Sequence, residues 1–146
     1  MFRFWKPFAV GAQTGWGNLI SANQSLQSGG VFALANVLFS KGSIPLQEVD
    51  TADYVSETGV VTVTWTENEA VGCDALDHAV LLIYDETTEQ LYGLTNDTSR
   101  EAEELSEVVG MGKDAADLTA FLWFHNGDDD MENITAVSTS VSASVS

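Results

Sequence analysis

Two histidines, one cysteine and 22 carboxylates are the side chains of this 146-residue sequence that could do chemistry. Cys73 precedes His78 by five residues, and a thiol acts as a nucleophile when a base such as imidazole stands beside it. No nucleophile elbow, P-loop or Gly-rich phosphate loop accompanies the pair. A solitary loop cysteine is more often incidental than reactive, so the sequence predicts a non-catalytic protein. A single cysteine also excludes an internal disulfide and a cysteine-based zinc site. The carboxylates offer a second chemistry. Glu67, Glu69, Asp74 and Asp77 precede His78, and Asp128, Asp129 and Asp130 follow His125. Brought to one pole, Asp74, Asp77, Asp128, Asp129 and Asp130 could bind Ca²⁺, or the two histidines a transition metal. The spacing matches no EF-hand loop and nothing specifies histidine geometry, so calcium is the better metal reading, and a solvated acidic pole is the simpler one. No other cofactor is expected.

The charge is unevenly laid out. All 22 acidic residues lie from Glu48 onward, whereas residues 1–47 hold Arg3, Lys6 and Lys41 and no carboxylate. The two segments carry +3 and −20 within a total of −17. Such asymmetry points to different surroundings for the two parts. The chain opens Met1-Phe2-Arg3-Phe4-Trp5-Lys6-Pro7-Phe8, four aromatics in eight residues, and aromatics with Arg are the residue types that anchor interfaces. Phe2, Arg3, Phe4, Trp5, Lys6 and Phe8 are therefore the expected assembly interface, lying on the acidic body of the next copy or packed back on their own domain. Phe8–Ala12 is too short for the apolar part of a cleaved secretory signal. No apolar run approaches the ~20 residues of a membrane-spanning helix. With five cations against 22 acids, direct nucleic-acid binding is disfavoured.

The elements that must position these residues read as follows. Residues 8–27 carry a weak helical stripe broken by glycines, so residues 1–30 form a basic aromatic arm and short helix. Residues 31–146 form the second unit. The second half of Val31–Ser40 reads as a strand, and Thr51–Glu57 as a polar loop. Val60–Thr66 alternates with period two, with Val61, Val63 and Trp65 on one face. His78–Tyr84 and Leu118–His125 are continuous apolar runs, hence central strands covered on both faces. Gln90–Thr95, Glu104–Val109 and Asn133–Val145 complete the set, the last a long strand that could extend onto a neighbouring copy. Trp65, Tyr84, Phe121 and Trp123 are the expected core anchors. Seven strands in about 110 residues, punctuated by turn residues, predict a mainly β, seven-stranded antiparallel sandwich of the immunoglobulin-like class. In that arrangement both histidines fall at one pole.

Val63-Thr64-Trp65-Thr66, His78–Tyr84 and Leu122-Trp123-Phe124 resemble strands B, C and F of a fibronectin type III or immunoglobulin-like domain. Asn36–Ser43, Trp65–Asn68, Asp77–Tyr84 and Arg100 are similar to a family of uncharacterised bacterial and phage-borne proteins with an N-terminal helical segment before such a sandwich. That resemblance implies the fold and a phage setting, and no activity.

The expected function is a non-catalytic structural protein of a repeated assembly, a phage virion component that is capsid-associated or in the tail, forming homo-oligomers or joining other virion proteins. The alternative is a cell-surface or extracellular glycan-binding or adhesion module. Trp123 and Phe124 are adjacent in a strand and point to opposite faces. An exposed member of the pair would favour sugar binding, whereas burial of both favours packing. Arg100 is expected to pair with Glu101, Glu103 or Glu104.

Overall fold

The computed structural model describes Asn23, residues 37–128 and residues 133–146, with backbone alone for residues 94–97. The arm residues Phe2, Arg3, Phe4, Trp5, Lys6 and Phe8, the expected helix apart from Asn23, and Asp129 and Asp130 lie outside the described residues. The strands are β1 (Thr51–Val55), β2 (Val60–Thr64), β3 (His78–Asp85), β4 (Gln90–Ser99), β5 (Glu104–Val108), β6 (Leu118–His125) and β7 (Val141–Ser144). They form two antiparallel sheets, one ordered β1-β2-β5 and the other β4-β3-β6-β7. No helix among the described residues is long and apolar enough to cross a membrane.

Side-chain alternation decides what each face meets. Ala52, Val61, Val63 and Leu105 point inward from the three-stranded sheet, against Ala79, Leu81, Ile83, Leu118, Ala120, Leu122 and Phe124 of the four-stranded one. The other face of β3 and β6 carries Val80, Leu82, Phe121 and Trp123, and is covered by Phe39 and Val137 with Val37, Leu38, Tyr84 and Ile134 beside them. The continuous apolar runs of β3 and β6 thus come from a sheet buried on both sides. Phe39 is the keystone of the outer layer, edge-on to Phe121 at 4.7 Å and stacked on Trp123 at 6.3 Å. Each such buried aromatic contributes about 1.5–3 kcal/mol relative to exposure.

The seven strands are not the seven that the pattern predicted. Residues 51–55, expected as loop, are β1. As an edge strand it turns only Ala52 and Tyr54 inward, so alternation is masked, while the Tyr54 hydroxyl donates to Gly110 O at 2.8 Å and accepts from Lys113 N at 3.0 Å. Residues 37–40, expected as strand, are irregular chain. Serines lace them down: Ser140 Oγ accepts from Phe39 N at 2.9 Å and Ser40 Oγ donates to Ser138 O at 2.7 Å. The Ser/Val tail is accordingly a strand only over Val141–Ser144. Its earlier part makes isolated bridges, Val137 to His125 and Ser138 to Ile44. Beyond β7, Ser146 accepts from Tyr54 N and donates to Ala52 O, each at 2.9 Å, so the tail lies along the edge of β1. Strand β4 runs past Thr95 to Ser99.

Gly42 marks the tightest contact of the outer layer. A Cβ there would lie 1.9 Å from the Val137 carbonyl oxygen, a backbone atom that cannot swing aside. Gly42→Ala is expected to cost about 1–3 kcal/mol, as overpacking does. A thermal melt checks it, and an unchanged midpoint would mean that this segment is not held against Val137.

Candidate functional site

The pole above the sheets is where β3 begins and β6 ends. Their register sets His78 opposite His125, and the two rings stack with centroids 5.3 Å apart and planes 20° apart. Even-numbered residues of β3 and odd-numbered residues of β6 face the outer layer, so this pair crowns the Val80/Trp123 side. His125 is fully buried. Its Nδ1 accepts from Gly127 N at 3.0 Å, which places the proton of the neutral ring on Nε2. Burial foremost, then the neighbouring His78, holds its pKa down at about 4, with Asp128 acting in the opposite direction.

On the inward side the same pole is closed by Arg100, which is 0% exposed. Its Nη1 donates to Gln47 Oε1 at 3.0 Å and its Nη2 to Asp77 Oδ2 at 3.4 Å. The guanidinium carbon stands 4.1 Å from the centroid of the Phe124 ring. Backbone bonds complete the cluster: Arg100 N donates to Asp77 O at 2.8 Å, and Trp65 Nε1 donates to Arg100 O at 2.8 Å. Gln47 Nε2 reaches Thr66 O at 2.7 Å. One residue, through its side chain and its backbone, therefore ties the segment before β1, the chain just after β2, the start of β3 and β6. Nε of Arg100 is buried without a hydrogen-bond partner among the described residues. The expected partners Glu101, Glu103 and Glu104 are all exposed, and Glu103 instead accepts from Glu67 N at 2.8 Å. A guanidinium fully out of water needs a buried carboxylate, and of its acidic neighbours Asp77 is the buried one.

Asp85, at the far end of β3, repeats the device. Lys113 Nζ donates to Asp85 Oδ2 and lies 5.0 Å from the Tyr92 ring centroid. The hydrogen bond from Lys113, with support from Thr88, holds Asp85 at about 2 against burial, and the same contact raises the pKa of Lys113. Arg100 and Lys113 are the two cations of residues 48–146. Both are thus engaged by buried aspartates that bracket one strand.

Of the expected calcium residues, Asp74, Asp77 and Asp128 are described, and Asp74 N donates to Asp77 Oδ2 at 3.1 Å. Asp77 is bound to Arg100. Asp74 is exposed, with Oδ1 accepting from Leu76 N at 2.9 Å. Asp128 is exposed and accepts from Asn133 Nδ2 at 2.8 Å. Among the described residues no group of three or more His, Cys, Asp or Glu is placed to hold a metal ion. Cys73 lies half-buried in the loop between β2 and β3. Of the core anchors, Trp65, Phe121 and Trp123 are buried and Tyr84 is half-buried. Trp123 and Phe124 are both fully buried, one on each face of the sheet, so neither offers a sugar platform. Sequence reasoning missed Gln47 and Asp77 as partners of Arg100. The signal for a special arginine was present, a lone cation in a long acidic stretch, but no spacing rule names partners 53 and 23 residues away.

No family model, curated protein or solved structure matches this chain.

Proposed function

We propose that this protein is a non-catalytic structural component of a repeated assembly, a phage virion protein whose copies are tied together by the basic aromatic arm. The observation that carries the reading is the distribution of charge. Both cations of the acidic body are held by buried aspartates, so the body offers carboxylates outward, while residues 1–47 carry only positive charge and four of their first eight residues are aromatic. A cationic apolar arm and an anionic body are complementary surfaces on one kind of molecule. The body itself reads as an immunoglobulin-like or fibronectin type III sandwich. Its sheets order as A-B-E and C′-C-F-G when β1 to β7 are lettered A, B, C, C′, E, F and G, with B, C and F on β2, β3 and β6.

Light scattering on the full chain beside a variant lacking residues 1–8 tests this at low and high salt. The full chain should form large species and the truncated one should be a monomer. Salt should weaken the association in part, because the Debye length falls to about 3 Å at 1 M while aromatic burial persists. A monomeric full chain in every buffer would sink the proposal.

A further inference from the structure

The three-stranded sheet has an outward face that no element of the described chain covers. Its registers arrange nine outward residues in three rows: Thr51, Thr64 and Glu104; Asp53, Thr62 and Ser106; Val55, Val60 and Val108. The first two rows are polar and internally bonded, Thr51 Oγ1 to Thr64 Oγ1 at 2.9 Å and Thr62 Oγ1 to Ser106 Oγ at 2.8 Å. The third is apolar. Val55 is 46% and Val108 65% exposed, and Met111 in the following turn is 73% exposed. Three of the seven large apolar side chains exposed among the described residues therefore gather at one end of one face. Asp53 and Glu104 give that face a negative charge and its nine positions hold no cation.

We propose that this face, centred on Val55, Val60 and Val108, seats residues Met1–Phe8 of a second copy of the chain. The inference rests on the assembly reading above and names its docking surface. Charge selects the occupant: Arg3 and Lys6 are set among the aromatics of a segment that has no carboxylate, and the face supplies Asp53 and Glu104. Size agrees as well. Phe2, Phe4 and Phe8, which share one side of an extended segment, bury roughly 450–750 Å², approaching the ~800 Å² that each partner contributes to a standard interface. Across three strands the valine row spans about 10 Å, and alternate residues of an extended segment stand about 7 Å apart, so Phe2 and Phe4 fit along it. Position favours exchange over self-docking. Asn23 is bonded to both Leu38 N and Leu38 O, at 2.7 and 2.8 Å, and Leu38 packs on the far side of the four-stranded sheet. Asn23 is therefore held on the side of the molecule away from the valine row.

The test uses the full chain. Val55→Lys/Val108→Lys should weaken association at least about tenfold by light scattering, while Leu46→Lys/Leu91→Lys, which changes net charge equally at two other exposed leucines, should leave it intact. In parallel, a photo-crosslinking phenylalanine analogue at position 4 should join one chain to residues 51–66 or 104–111 of another in a band of dimer mass. Crosslinks elsewhere, crosslinks confined to the monomer band, or equal loss in both double variants would overturn the docking surface while leaving assembly standing. A wild-type chain monomeric at every concentration removes the assembly reading itself. Should the valine variant melt below the measuring temperature, the crosslink map decides.

Discussion

Arg100→Ala is expected to destabilise the protein by about 3–5 kcal/mol, because it leaves the buried Asp77 carboxylate without its charge partner. The substitution also removes the donor to Gln47 Oε1 and the cation from the Phe124 ring. Set against a typical total of about 5–15 kcal/mol, this is at least about a fifth of the stability of a domain. Urea unfolding should show a lower midpoint with the slope unchanged. Arg100→Lys should fall between, since an ammonium cannot bridge Gln47 and Asp77 while lying flat on a ring. Arg100→Met with Asp77→Leu should recover much of the loss, because replacing both partners leaves no unpaired charge. A single Arg100→Ala variant within about 1 kcal/mol of wild type would show that the cluster does not hold the pole together.

The second large effect is a loss of stability on mild acidification. His125 has a folded pKa of about 4 against an ordinary value of 6.5, so between those limits the unfolded chain binds a proton that the folded chain refuses. Stability is then full above pH 6.5 and falls as pH drops from 6.5 towards 4, by about 3 kcal/mol at the lower end. The cause is geometric: the ring is buried, faces His78, and has Nδ1 occupied by the Gly127 N–H. Protonation would put a second donor against that N–H. The surface carboxylates act in the other direction, since neutralising them relieves the self-repulsion of a chain at −17. The diagnostic is therefore the difference between wild type and His125→Asn, whose amide oxygen can still accept from Gly127. Melting temperatures measured from pH 7 to 5 should fall more steeply for wild type. Parallel curves would refute the assignment. Asp85 acts at lower pH: its depressed pKa stabilises the fold above about 4, and that contribution is lost as pH falls towards about 2.

Sequence alone determined what periodicity encodes. Val61, Val63 and Trp65 alternate because one face of β2 is buried. The uninterrupted runs of β3 and β6 announced strands covered on both faces, and these strands placed His78 and His125 at one pole. The division of charge between residues 1–47 and the rest was equally legible. Tertiary structure alone decided the rest. Strand β1 was hidden because an edge strand presents few apolar residues inward, and part of its hydrogen bonding comes from Ser146, distant in sequence. The serines of the tail alternate like a strand, yet Ser138 and Ser140 are buried polar clamps on an irregular segment. Arg100 and Asp77 lie 23 residues apart and meet only because β3 and β4 pair and bring their ends together. Periodicity records which face of an element is dry. Which buried charge meets which partner depends on the path of the chain between elements, and no local pattern carries that information.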